Sequence, residues 1–347
     1  RFRNVTGVQT CALPICVPHP RHVLAVKAAR ADAAEKRLAR GSPTRAIRER
    51  AEAIDRLDRR LRDAAWANDV ARARRLIRQG ADVDAKDETE QSAYLIATSE
   101  GHLELLRLAL RHGAEVNDKD SWNGTGLIRA AERGHGLVVG ELLRAGIDRD
   151  HVNRIGYQAI HEAVWLGEDT ASYATTVRVL AAGGVQLDMV SPSAGLTPLQ
   201  MARERGYAGL GRILSNVTTA EKPADANAAL LRAARTGNAD AVAVALRAGA
   251  DIEARDDHQR TALLLASTYD HVAVAEVLVA MGADPDALDD RHDTPWLVTG
   301  VTGSVAMLEA LLPANPDLTI ENRYGGLSPI PAGERGHVDY IRRRSEE

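Results

Sequence analysis

A glycine, or a residue able to stand in for one, returns along this chain at an almost constant interval: Asn68, Gly101, Gly134, Gly167, Gly206, Gly237, Asp270, Gly303 and Gly336. The intervals are 33, 33, 33, 39, 31, 33, 33 and 33 residues. Self-similarity at a fixed step of this length marks a solenoid, in which one unit cannot bury its apolar face alone and neighbours stack to form a shared core. Any functional residue therefore has to be read against its place in the repeat.

Local chemistry specifies the unit. In Gly195 to Ala202 (Gly-Leu-Thr-Pro-Leu-Gln-Met-Ala), Thr197 is placed to cap a helix and Pro198 sits at the first helical position, where a missing N–H costs nothing. Ser92, Thr261 and Thr294 recur in the capping slot. The periodic glycine then ends this first helix in the left-handed conformation. A second helix follows, with paired apolar residues near its end at Leu105-Leu106, Leu142-Leu143, Val277-Leu278 and Leu311-Leu312. It closes on Gly80, Gly113, Gly146, Gly249, Gly282 or Asn315, and a polar turn such as Gly80-Ala81-Asp82-Val83-Asp84 leads into the next unit.

On Thr-Pro-Leu at 197 to 199, Ala-Leu-Leu-Leu-Ala at 262 to 266, Gly-His at 101, 134 and 336, and Gly-Ala-Asp/Glu at 80, 113, 249 and 282, residues 57 to 343 resemble the ankyrin repeat. The resemblance implies an all-α repeat solenoid of about nine helix-turn-helix units with β-hairpin or turn tips. The last unit departs from the pattern: Gly326 to Gly333 (Gly-Leu-Ser-Pro-Ile-Pro-Ala-Gly) sets two prolines where its first helix should begin and run.

The units fall into two similar runs, 57–215 (about five units) and 228–343 (about four, the last truncated). Leu61 to Ala65 and Leu230 to Ala234 each open a run, and Trp122 with Glu132 to His135 reappears as Tyr324 with Glu334 to His337, as tandem duplication would produce. Between the runs, 216–227 forms a polar, Pro-containing link. Because the step across it stays near 33, one continuous stack with a seam is expected rather than two independently tumbling domains. Residues 1–15 and 344–347 resemble translated sequencing adapter and are set aside from fold reasoning. With the native ends lost, the sequence leaves location open: cytoplasmic if no signal peptide preceded it, periplasmic or secreted if one did. The adapter holds Cys11, and Cys16 follows it, so no cysteine remains from Val17 onward to support disulfide, zinc or thiol chemistry.

Residues 16–56 form a basic arm, helical or disordered, in which alternating Ala and charge from Val23 to Arg40 and a Gly41-Ser42-Pro43 break suggest helices. Residues 17 to 62 carry 13 Lys/Arg against 6 Asp/Glu, whereas 63 to 343 carry 28 against 40. An acidic array is a poor electrostatic match for a phosphate backbone, so nucleic acid is not its expected partner. No run approaches the roughly 18–20 apolar residues of a membrane span. No phosphate-cradling loop, nucleophile elbow or metal pair is present, and His102, His135, His271 and His337 are explained by the repeat turn. His161 occupies the position where the family motif carries its own hydrogen-bonding His.

A non-enzymatic, monomeric scaffold for a protein partner, without cofactor or metal, is therefore expected. The other reading is the regulatory or targeting part of an enzyme or secreted effector whose remaining domain was lost by truncation. In the family, contacts come from hairpin tips and exposed first-helix ends, which implies Trp122, Glu132 and Arg133 in unit three and Arg154, Ile155, Tyr157 and Trp165 in unit four. The implied set continues with His258, Tyr269, Arg291 and Tyr324. Tyr173 joins them from the insertion Glu168 to Ala174, which accounts for most of the 39-residue step. Trp122, Tyr157 and Trp165 are the expected aromatic centre, in slots that the stack does not need to fill; the alternative for Trp165 is packing against the neighbouring unit.

Overall fold

The computed structural model describes residues 45–328, 332, 333 and 335–344. The adapter-like N-terminus, the expected helices between Val23 and Arg40, and Pro329 and Pro331 of the last unit lie outside the described residues. In the first run, the first helices are α1 (Arg45–Trp66), α3 (Ala93–Ser99), α5 (Gly126–Glu132), α7 (Ala159–Trp165) and α9 (Pro198–Glu204). Their partners are α2 (Val70–Arg78), α4 (Leu103–Arg111), α6 (Gly136–Arg144), α8 (Ala171–Ala182) and α10 (Ala208–Thr219). The second run pairs α11 (Ala226–Thr236) with α12 (Ala239–Arg247), α13 (Ala262–Thr268) with α14 (Val272–Ala280), and α15 (Pro295–Thr302) with α16 (Val305–Leu311). It ends on α17 (Val338–Arg344). Among the described residues β structure is limited to the isolated bridges Lys119–Thr125 and Arg255–Thr261 at the tips.

These helices start and stop where their caps dictate. Ser92, Thr197, Thr261 and Thr294 each accept the backbone N–H three residues on, filling one of the orphan donors of a helix N-terminus. At the start of the second helix, Asp69, Asn238 and Ser304 cap in the same way. Where histidine holds that slot, its ring reaches back to the previous unit instead: His102 Nδ1 lies 3.0 Å from the Ala65 carbonyl, His135 Nε2 3.1 Å from Ser99 and His271 Nε2 3.1 Å from Arg235. The recurring histidines are thus inter-unit ties.

Eight of the nine periodic positions have positive φ, from Asp270 at 57° and Asn68 at 51° to Gly237 at 75°. Gly167 does not, which corrects its expected role as a left-handed cap. A Cβ there would run into the Ala163 carbonyl and lie 2.7 Å from the Tyr173 ring, so glycine is needed for close approach rather than for its φ. The insertion in this unit folds Tyr173 back over the turn.

First helices stack on first helices and second helices on second helices within each run. At the junction the expected continuous stack does not form. Instead of α11 continuing from α9, the chain turns back, and α12 packs on α8 and α10 while α14 packs on α6 and α8. Arg107 on α4 donates to the Pro313 carbonyl at 3.0 Å, which sets unit eight against unit two. Units six, seven and eight therefore face units four, three and two, and the runs lie antiparallel and back to back through their second helices.

The sequence of α14, Val-Ala-Val-Ala-Glu-Val-Leu-Val-Ala, explains why this happens. Apart from Glu276 it is apolar all round, and a helix of that kind needs cover on more than one face. A lone stack buries only one face of a second helix, so the other face requires a second layer. Charged groups organise the same interface. Asp240 on α12 accepts from Arg178 at 2.7 Å and Asn216 at 2.8 Å, and Glu141 accepts from Arg107 at 2.9 Å and Arg144 at 2.7 Å. Arg247 of the second run donates to the carbonyl of Ala181 in the last turn of α8 and to that of Val185 just past it, while Arg144 of the first run donates to Ala280 at the end of α14. Each run thus supplies cations to helix C-termini of the other, where free carbonyls gather partial negative charge.

Candidate functional site

The hairpin tips are built by a side chain that the sequence reading passed over. Asp87, Asp120, Asn153, Asp256, Asp289 and Asn322 each turn Oδ1 onto two backbone N–H groups, two and four residues on; for Asp120 these are Trp122 and Gly124, both at 2.8 Å. This clamp holds the residue three places on in the left-handed region even without glycine, as at Glu90 (φ 61°), Asn123 (58°), Gln259 (59°) and His292 (62°). It also fixes the residue just before, at the apex: Trp122, Ile155, His258, Arg291 and Tyr324. The recurrence of Asp or Asn at this step was the available signal.

The second carboxylate oxygen of the clamp takes a cation. Asp120 pairs with Arg129, which also reaches Glu132 at 2.8 Å, and Asp256 pairs with Arg260 at 2.7 Å and Arg235 at 3.2 Å. Unit four inverts this chemistry, with Asn153 in place of the aspartate and Glu162 in place of the arginine. The Asn153 amide donates to Glu162 Oε1 at 2.6 Å, and burial pushes the Glu162 carboxyl above the ordinary glutamate range. The tip carrying Ile155 is thereby held without an ion pair.

Of the expected aromatic centre, Trp122 is 58 % exposed but Tyr157 only 6 %, which corrects its placement on the surface. Tyr157 stacks on His161 with centroids 5.9 Å apart and leans on Trp165 at 6.3 Å, buried against α7 of its own unit. Trp165 is half-buried against the core, with the Arg205 guanidinium 5.5 Å above its ring. Tyr173 is also half-buried, and its hydroxyl donates to the Glu132 carbonyl at 2.9 Å. Both rings serve packing, and the slot does need filling. Glu132 is half-buried in its pair with Arg129, and Arg133 is exposed but tied to Glu100.

Trp122, Arg154 and Ile155 come together on one ridge, joined by the Arg154 N–H to the Trp122 carbonyl at 3.1 Å, and Leu166 lies exposed at the end of α7. On the other run His258, Tyr269, Arg291 and Tyr324 are exposed. There the Asp290 N–H donates to the His258 carbonyl at 3.2 Å, and Arg323 lies 4.9 Å over the Tyr324 ring. The two sets do not meet, because two layers of second helices separate them. A cleft of about 500 Å³ lies where the runs join, lined by Leu137, Val138, Val272, Pro313 and the carboxylates Glu276 and Glu309, and it holds none of these residues. Among the described residues no group of three His, Cys, Asp or Glu could hold a metal, and no helix is long and apolar enough to cross a membrane.

The buried His161 gives this region a pH dependence. Its Nδ1 accepts from the Gln158 N–H at 3.3 Å, so Nε2 carries the proton donated to the Met189 carbonyl at 3.0 Å. Protonation would abolish the first bond, and burial lowers the pKa. The folded value thus lies below the unfolded one, so the stabilisation is complete above about pH 6.5 and is lost as pH falls from there through the lower, folded value. The thermal midpoint of wild type should therefore fall between about pH 7.5 and pH 5.5, and His161→Gln should flatten that slope. Equal slopes in the two proteins would assign the dependence elsewhere.

The family model described as ankyrin repeats matches three times, over residues 61–153, 213–289 and 230–322. The chain is 36% identical over 140 residues to the ankyrin repeat protein YahD of Escherichia coli (strain K12), a stretch that spans 40% of this chain and 69% of that protein. It is also similar to the crystal structure of an ankyrin repeat domain from Acinetobacter baumannii AYE, with 41% identity, 45% of this chain and 79% of that chain covered, and a TM-score of 0.43.

Proposed function

The chain belongs to the ankyrin-repeat family, and from that premise we propose that it is a protein-binding scaffold without catalysis of its own, engaging its partner through the tips and first-helix ends of units three and four. Ankyrin repeats are generally protein-interaction modules. The observation that carries the finer reading is the exposure of Trp122, Ile155 and Leu166 on one side of adjacent units. Trp122 and Ile155 sit at tips whose backbone is clamped by Asp120 and Asn153, so neither ring nor aliphatic chain is needed to hold its own loop. Large apolar side chains on rigid loops are the usual anchors of an interface, because little entropy is lost when they are covered. Arg154, exposed and without an ion pair among the described residues, borders them.

Replacing Trp122, Ile155 and Leu166 together by Ala should leave stability within about 0.5 kcal/mol per site. Binding to a partner captured from the source organism should weaken by about 2 kcal/mol or more per hot-spot residue. Circular dichroism melting and quantitative pull-down read the two effects. Undiminished capture by a stable triple variant would move the site off these units.

A further inference from the structure

We propose that the protein is a bridge, with separate recognition faces on opposite sides, the first run taking a segment anchored by apolar side chains and the second run a basic segment, both bound at once. The inference rests on the reading of the first run given above and extends it to a second partner. Back-to-back docking consumes the second helices of both runs: α6, α8, α10, α12 and α14 make the packed pairs. The first helices and tips of each run are left as the two outermost layers. At roughly 10 Å per packed helix layer, those layers stand about 30 Å apart. That is several times the Debye length of about 8 Å in physiological salt, so occupancy of one face is neither blocked nor sensed by the other.

The two faces differ in chemistry at matched positions. Where the first run carries Trp122 and Ile155 at its tips and Leu166 at a first-helix end, the second carries His258, Arg291 and Tyr324 at its tips and Tyr269 at a first-helix end. Asp257 and Glu321 are exposed and without ion pairs among the described residues, and Asp290 is exposed beside His258 at 3.2 Å. Residues 216–343 carry 11 Lys/Arg against 19 Asp/Glu, whereas 63–215 carry 17 against 21. The second face also carries Arg291 and Arg323, but acids outnumber bases in this run, and the exposed carboxylates of Asp257, Asp290 and Glu321 suit lysine and arginine side chains. The first offers apolar area with little net charge.

The test is selection of a random linear peptide display library on the full chain, followed by competition binning and calorimetry of the selected peptides. Two non-competing groups are expected, each binding with unchanged Kd when the other site is saturated. Ala at Trp122, Ile155 and Leu166 should weaken only the first group, by about 10-fold or more. Tyr269→Ala with Tyr324→Ala and Asp257→Asn should weaken only the second, whose peptides should be rich in Lys and Arg and should lose affinity several-fold between about 0.05 and 0.5 M NaCl. A single mutually competing group, loss of both groups in one variant set, or no peptide on the second face overturns the bridge. Peptides confined to the Trp122 face would do so while leaving the proposed function intact, whereas peptides confined to the second face would remove both.

Discussion

Gly140→Ala will destabilise the protein, against the sign that helix propensity gives. Gly140 lies inside α6, where exchange for Ala ordinarily gains about 1 kcal/mol. Here the position faces the backbone of Ala280 on α14 of the other run, and an added Cβ would fall inside contact distance of that carbonyl oxygen. Neither element can yield easily. Ala280 closes a buried helix whose last carbonyl is held by Arg144, and α6 is fixed by its stacking on α8. Overpacking of this kind costs about 1–3 kcal/mol and sometimes more, and separation of the layers would add exposure of Val277, Leu278 and Val279. The thermal midpoint should fall, the unfolding transition should split as the two runs lose their coupling, and the radius of gyration by small-angle scattering should rise. A higher midpoint with one sharp transition would mean that the runs do not dock through this helix.

Asp240→Ala should have an effect at least as large, by a different mechanism. Its carboxylate is buried with both oxygens engaged, one by Arg178 and one by Asn216, and the Arg178 side chain is only 12% exposed. Removing the anion strands a desolvated guanidinium between the runs. Loss of one member of a buried pair costs about 3–5 kcal/mol, more than the pair itself contributes, because the penalty is the uncompensated charge. Denaturant unfolding should therefore show a large loss for Asp240→Ala and substantial recovery when Arg178→Met is added. If the two losses simply summed in the double variant, the pair would not be coupled and the interface would be wetter than its geometry indicates.

Several features were readable before any coordinates. The capping hydroxyls and the left-handed slots follow from chemistry within a few residues, the structural role of the histidines follows from their fixed place in the repeat, and all but Gly167 behave as that reading requires. Gly167 failed because the same residue type serves two purposes, positive φ and close approach, and the Tyr173 insertion decides which one applies. Tyr157 failed for a related reason. An exposed tip position and a buried one differ by two residues in the chain, and the Asn153 clamp turns Ile155 outward and Tyr157 inward.

The sequence by itself determined the unit, its period and the order of stacking within each run, because those depend on contacts between residues one repeat apart. Only the tertiary structure decided that the second run turns back against the first. A periodic pattern is satisfied equally by continuation and by reversal, since the first-to-second-helix packing is the same in both. What breaks the tie is the second apolar face of α14, the notch at Gly140 that receives the Ala280 backbone, and the ion pair of Asp240 with Arg178, 62 residues apart in the chain. Those terms act only once both runs are folded, and they place Trp122 and Tyr324 on opposite sides of the molecule.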